Sequence, residues 1–130
     1  MNFIHIDLAK LIKNNLYKII FFNYLILITF LFLVPLDSEL VLSFIEREKQ
    51  PSNNTSFFIH FIIFFVLYFL IDLSFRNIVA NILFCLLYSI LIESLQLFTS
   101  RGYQSLDIFY NIFGLISAIL IRFIYFKFLK

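Results

Sequence analysis

Chemistry in this 130-residue chain could come from His60, Glu93, Gln96, Arg101, Asp107 and Asn111, with the Ser105 hydroxyl among them. An imidazole placed with carboxylates can move protons. An Arg guanidinium can hold a carboxylate or phosphate in a bidentate fork, and Gln and Asn amides can orient what is held. The spacing groups these residues. Glu93 and Gln96 stand at i and i+3, on one helical face. Asp107, Asn111, Gly114 and Ala118 stand at i, i+4, i+7 and i+11, a continuous stripe on a helix. Only tertiary structure can bring the separate groups together.

Composition says what those elements are. Hydrophobic residues make up 62% of the chain and charged residues only 14%, with 20 Phe and 7 Tyr. Ten basic and eight acidic side chains cannot coat a protein this small, whose surface-to-volume ratio is high. A water-soluble globule is excluded, and so is a disordered chain, which needs low hydrophobicity and high charge. The basic residues are scattered and the net charge is only +2, so no nucleic-acid footprint is present. One cysteine, Cys85, lies in an apolar run and reads as packing.

Four apolar stretches are long enough to cross a bilayer: 19–36, 57–73, 78–98 and 108–128. At about 1.5 Å per residue they reach roughly 25–32 Å. Backbone amides in lipid must pair within the segment, so these are predicted helices. The expected fold is all-α, a single domain forming a bundle of four transmembrane helices. Residues Phe3 to Leu16 mix apolar side chains with Lys10, Lys13, Asn14 and Asn15, the pattern of an N-terminal interfacial helix. Leu40 to Ile45 reads as a similar short helix, and Gln50 to Ser56 as a turn-rich linker.

Lys10, Lys13, Lys18, Arg76, Arg122, Lys127 and Lys130 fall on one side of this arrangement, and Arg47, Lys49 and Arg101 on the other. The richer side marks the cytoplasm, so both termini are expected there. His60 then lies near the outer start of the second span, Glu93 and Gln96 near the outer end of the third, and Asp107 and Asn111 at the outer start of the fourth. Three helices thus carry costly polar groups to one depth. Arg101 is the expected partner of Glu93, Asp107 the expected N-cap of the fourth helix, and Gly114 with Ala118 a small-residue face for close packing. Asp72 and Arg76 stand at i and i+4 and are expected to pair.

The segment from Ile92 to Gly114, IESLQLFTSRGYQSLDIFYNIFG, resembles the signature of VanZ-like membrane proteins: E-x-x-Q, a loop with Arg and Ser, then Asp, then N-x-x-G. Glu93, Gln96, Arg101, Ser105, Asp107, Asn111 and Gly114 match it in order and spacing. The His60-Phe61 pair resembles the family's HF, and Arg76 its basic residue before the third helix. Thr55, Ser56 and Phe57 stand where the family often has an Asp-Lys pair, and Ala118 where it has a second Gly. The resemblance implies a multi-pass protein of the bacterial inner (plasma) membrane, in a family named for low-level resistance to teicoplanin, with no established reaction for most members.

Several readings of the polar group stay open. It could pin the helices together. It could bind a lipid-linked wall precursor, another lipid or a partner membrane protein. It could catalyse acid–base chemistry on a phosphorylated or acylated lipid. A proton path is disfavoured because Asp72 is the main polar group in the inner half. A lone His near a helix end reads first as an interfacial hydrogen-bonder and second as a general base. His60, Glu93 and Asp107 have zinc-ligand types but no zinc-site spacing, so no metal or cofactor is expected. A triad of Ser105, His60 and Asp107 lacks a nucleophile elbow.

Overall fold

The computed structural model of the protein describes residues 2–33, 53–98 and 105–128. These form four helices, α1 (Asn2–Leu33), α2 (Asn53–Ser74), α3 (Ile78–Gln96) and α4 (Ser105–Phe128), and among the described residues there is no strand. Each helix contains a stretch long and apolar enough to cross a membrane. The all-α four-helix bundle expected from the sequence is therefore what the chain forms.

Local chemistry explains the helix limits. The Phe3–Leu16 segment is helical, but it continues into the first span without a break as one helix of 32 residues. No Gly or Pro interrupts it. At about 48 Å it is longer than a hydrocarbon core, and its apolar stretch is confined to Asn15–Leu33. The linker expected over Gln50–Ser56 is shorter than its composition suggests, because Asn53 to Ser56 form the first turn of α2. Asn, Thr and Ser favour turns, but they also favour helix starts. The short helix expected at Leu40–Ile45 lies outside the described residues.

Between α2 and α3 only residues 75–77 are non-helical. The Asn77 side chain accepts from the Ala80 amide at 3.1 Å and caps α3. The Asn81 amide donates to the Phe75 carbonyl at 2.9 Å, so the turn has its own internal tie.

Helix α2 is the hub. It packs on α1, α3 and α4, whereas α1 and α4 do not meet among the described residues. Its most extensive partner is α4. A Cβ added to Gly114 of α4 would lie 2.2 Å from the Phe61 carbonyl oxygen of α2. The two backbones therefore touch where that side chain is missing. The core gathers Phe21, Ile28 and Phe32 of α1, Phe64, Leu67 and Tyr68 of α2, Cys85 and Ile92 of α3, and Leu115 and Ala118 of α4. Helix α1 is tied in by hydrogen bonds as well: the Tyr24 hydroxyl donates to the Ile63 carbonyl at 3.0 Å, and Thr29 meets the Tyr88 hydroxyl at 2.8 Å.

The surface and interior are inverted relative to a water-soluble protein. Phe30, Leu87, Phe109 and Phe123 are each more than 60% exposed, while Glu93, Asn111 and Ser89 are buried. A surface of this kind belongs in lipid, which makes the protein a multi-pass membrane protein.

Gly114→Ala is expected to lower stability by about 1–3 kcal/mol, because an added methyl meets backbone rather than a flexible side chain. Unfolding of the purified protein in detergent measures it, and an unchanged midpoint would mean that α2 and α4 do not approach this closely.

Candidate functional site

At the end of the bundle where α1 and α3 finish and α2 and α4 begin, all four helices contribute to one buried cluster. His60 comes from the second turn of α2, Ser89, Glu93 and Gln96 from the last turns of α3, Asp107 and Asn111 from the first turns of α4, and Phe32 from the end of α1. His60, Glu93, Gln96, Asp107 and Asn111 are all buried.

Asn111 is the centre of this cluster. Its Oδ1 lies 3.0 Å from His60 Nδ1, and its Nδ2 donates to Ser89 Oγ at 3.0 Å. One amide therefore ties α4 to α2 and α3 simultaneously. With Oδ1 as acceptor, His60 Nδ1 carries a proton. His60 Nε2 faces Asp107 Oδ2 at 3.4 Å, an ion-pair separation rather than a tight hydrogen bond. The imidazole and carboxylate thus face each other across the α2–α4 contact. The Phe32 ring covers the imidazole at 4.8 Å between centroids, and Gln96 Nε2 donates to the Phe32 carbonyl at 3.2 Å, closing the cluster from α1.

The structure brings together most of the residues that the sequence singles out. Gln96 joins the cluster through α1, and Gly114 and Ala118 continue the buried stripe of Asp107 and Asn111. Three expectations change. His60 is inside the bundle rather than at an interface, because α2 begins at Asn53 and places it in the second helical turn. Asp107 lies within the first turn of α4 rather than at its N-cap, because the helix starts at Ser105. Its carboxylate turns to His60 while keeping the favourable end of the helix dipole. Ser105 is exposed, away from the buried cluster. Arg101 and its expected contact with Glu93 lie outside the described residues. Among the described residues no three His, Cys, Asp or Glu side chains could hold a metal ion.

An apolar groove of about 330 Å³ runs along the outside of α2 and α4 at the same end. Phe57, Phe58, Phe61, Tyr110 and Phe113 line it, and Phe57 and Tyr110 stack at 4.6 Å with nearly parallel rings.

The sequence reading missed a second polar pair. Asp72 does not pair with Arg76; its Oδ2 accepts from Arg122 Nε across the α2–α4 contact. Helix α2 ends at Ser74, so Arg76 falls in the turn, off the helical face that i,i+4 pairing requires. A signal for the correct partner was present. His60 and Asn111 are 51 residues apart, and Asp72 and Arg122 are 50 apart. Two helices running in the same direction hold a nearly constant offset, so three turns beyond one contact comes the next.

Compared with known protein families, curated proteins and solved structures, the chain gives no match.

Asn111→Leu is expected to destabilise the protein by about 1–3 kcal/mol, since it strands a buried imidazole nitrogen and the Ser89 hydroxyl. Ser105→Ala, at an exposed position, should stay within about 0.5 kcal/mol of the native protein. Arg122→Met should cost more than the double change Asp72→Asn with Arg122→Met, because the single change leaves a carboxylate without its cation. Equilibrium unfolding in detergent orders all four proteins.

Proposed function

We propose that this chain is a VanZ-like integral membrane protein of the bacterial cell envelope, whose buried polar cluster serves a cell-wall lipid or its precursor at the outer face. The observation that carries the reading is the His60–Asp107 pair, anchored through Asn111 to Ser89, at one end of an otherwise lipid-facing bundle. Ionisable groups inside a membrane are costly and usually mark a working site. The motif running from Glu93 to Gly114 supports the family. The Lys and Arg distribution supports an inner-membrane topology with both termini in the cytoplasm and this end outward. The aromatic groove beside the cluster supports a ligand with a lipid chain, since such a ligand could lay its chain along Phe61 and Phe113 and its polar head near His60. A partner membrane protein is the other occupant compatible with that face, and the link to teicoplanin-type resistance rests on the family alone.

The acid–base pairing of His60 and Asp107 favours a second reading, a small membrane enzyme acting on a phosphorylated or acylated lipid. There the pair would take and return a proton at the reacting oxygen.

Expression in a glycopeptide-sensitive bacterium tests the first reading. Cells carrying the native chain should tolerate more teicoplanin, and Asp107→Asn or His60→Gln should lose that tolerance at equal membrane abundance. The lipid-facing change Ile116→Val should keep it. Unaltered tolerance with abundant, inserted native protein would remove the resistance role. Turnover of a lipid by the purified chain, abolished in folded Asp107→Asn, would move the assignment to the enzyme.

A further inference from the structure

The opposite half of the bundle holds a second polar site that the proposed function does not use. On α2, His60, Phe64, Tyr68 and Asp72 stand one above another at intervals of four residues, so Tyr68 and Asp72 share the inward face one turn apart. The Tyr68 side chain is fully buried. Among the described residues its hydroxyl has no hydrogen-bond partner, and neither does Asp72 Oδ1, although Asp72 Oδ2 is held by Arg122. Tyr68 lies within electrostatic reach of Asp72, Arg122 and Cys85, so these groups occupy one neighbourhood.

Among the described residues a buried hydroxyl and a buried carboxylate oxygen on one face, neither with a partner, call for a small species that pairs with both. The bridging species must donate to Asp72 Oδ1, which can only accept, and must either donate to or accept from the Tyr68 hydroxyl. It must also be small and neutral: Arg122 already balances the Asp72 charge and would repel a cation. Water meets all of these conditions, and two or more polar partners are what an internal water requires.

We propose that Tyr68 and Asp72 hold one ordered water molecule inside the membrane span. That water completes the hydrogen bonding of the Asp72–Arg122 pair and couples the Tyr68 hydroxyl to it. It forms a hydrated station about 18 Å along α2 from His60, close to the turn at residues 75–77. The polar interior then reaches well beyond the His60 cluster.

Two measurements on the full chain in lipid bilayers test this. Removing a bare hydroxyl would be neutral or stabilising, whereas removing a water-bridged one leaves Asp72 Oδ1 and the water unsatisfied. Tyr68→Phe is therefore expected to shift the unfolding equilibrium about ten-fold toward the unfolded state. In solid-state NMR with tyrosine labelled at Cζ, the signal lost in Tyr68→Phe should receive magnetisation from water. A neutral or stabilising Tyr68→Phe overturns the proposal. A Tyr68 signal that stays dark while exposed Tyr125 brightens also overturns it, even if Tyr68→Phe destabilises, because a direct contact between the two side chains would then explain the loss.

Discussion

Inside a bilayer a polar side chain has no water to fall back on, and the Asn111 amide is where this constraint shapes the molecule most. Its two ends face different helices, with Oδ1 toward His60 of α2 and Nδ2 toward Ser89 of α3. Sliding α4 by one residue along either neighbour would break both contacts. The cost of a stranded polar group rises in a low-dielectric interior. Asn111 therefore sets the depth of α4 against two partners, and the rest of the packing follows. Gly114, one turn further on, lets the backbones of α2 and α4 meet, and a further two turns bring Arg122 opposite Asp72. Polar contacts at both ends and a small-residue contact between them fix a register that apolar side chains in lipid would leave loose.

The features that could be read in the sequence are those for which lipid permits a single arrangement. Spans of 17 or more apolar residues in a chain with 14% charged residues leave only helices. His60, Glu93, Gln96, Asp107 and Asn111 could be placed at one depth because each interrupts such a span close to the same end. Gly114 and Ala118 could be read as a packing face because they extend the stripe of Asp107 and Asn111. The less legible features were those set by choices between neighbours. Asp72 has Arg76 four residues away along the chain and Arg122 fifty residues away, and local spacing favours the nearer one until the end of α2 at Ser74 is known. Asn53 to Ser56 have the same composition whether they cap a helix or form a linker. The continuity of α1 across Lys10 to Asn15 depends on nothing breaking it, which is a weak signal in a mixed segment.

The two polar layers differ in kind, and the difference decides which end is the better functional site. Asp72 and Arg122 form a charge-matched pair across the α2–α4 contact. Such a pair holds α2 and α4 in register. The layer at the other end sets an imidazole against Asp107, with Glu93 buried one turn beyond Ser89 on α3. The nearest cation by sequence is Arg101, eight residues after Glu93 and six before Asp107. An imidazole and a carboxylate held in place by the Asn111 amide are the groups that the proposed headgroup recognition or acid–base work would use. The aromatic groove adds the second requirement of a lipid ligand, an apolar surface continuous with the bilayer, within one turn of His60. The Arg122 end holds a charge pair that ties α2 to α4, so the proposed function is placed at the His60 end and helix anchoring at the Arg122 end.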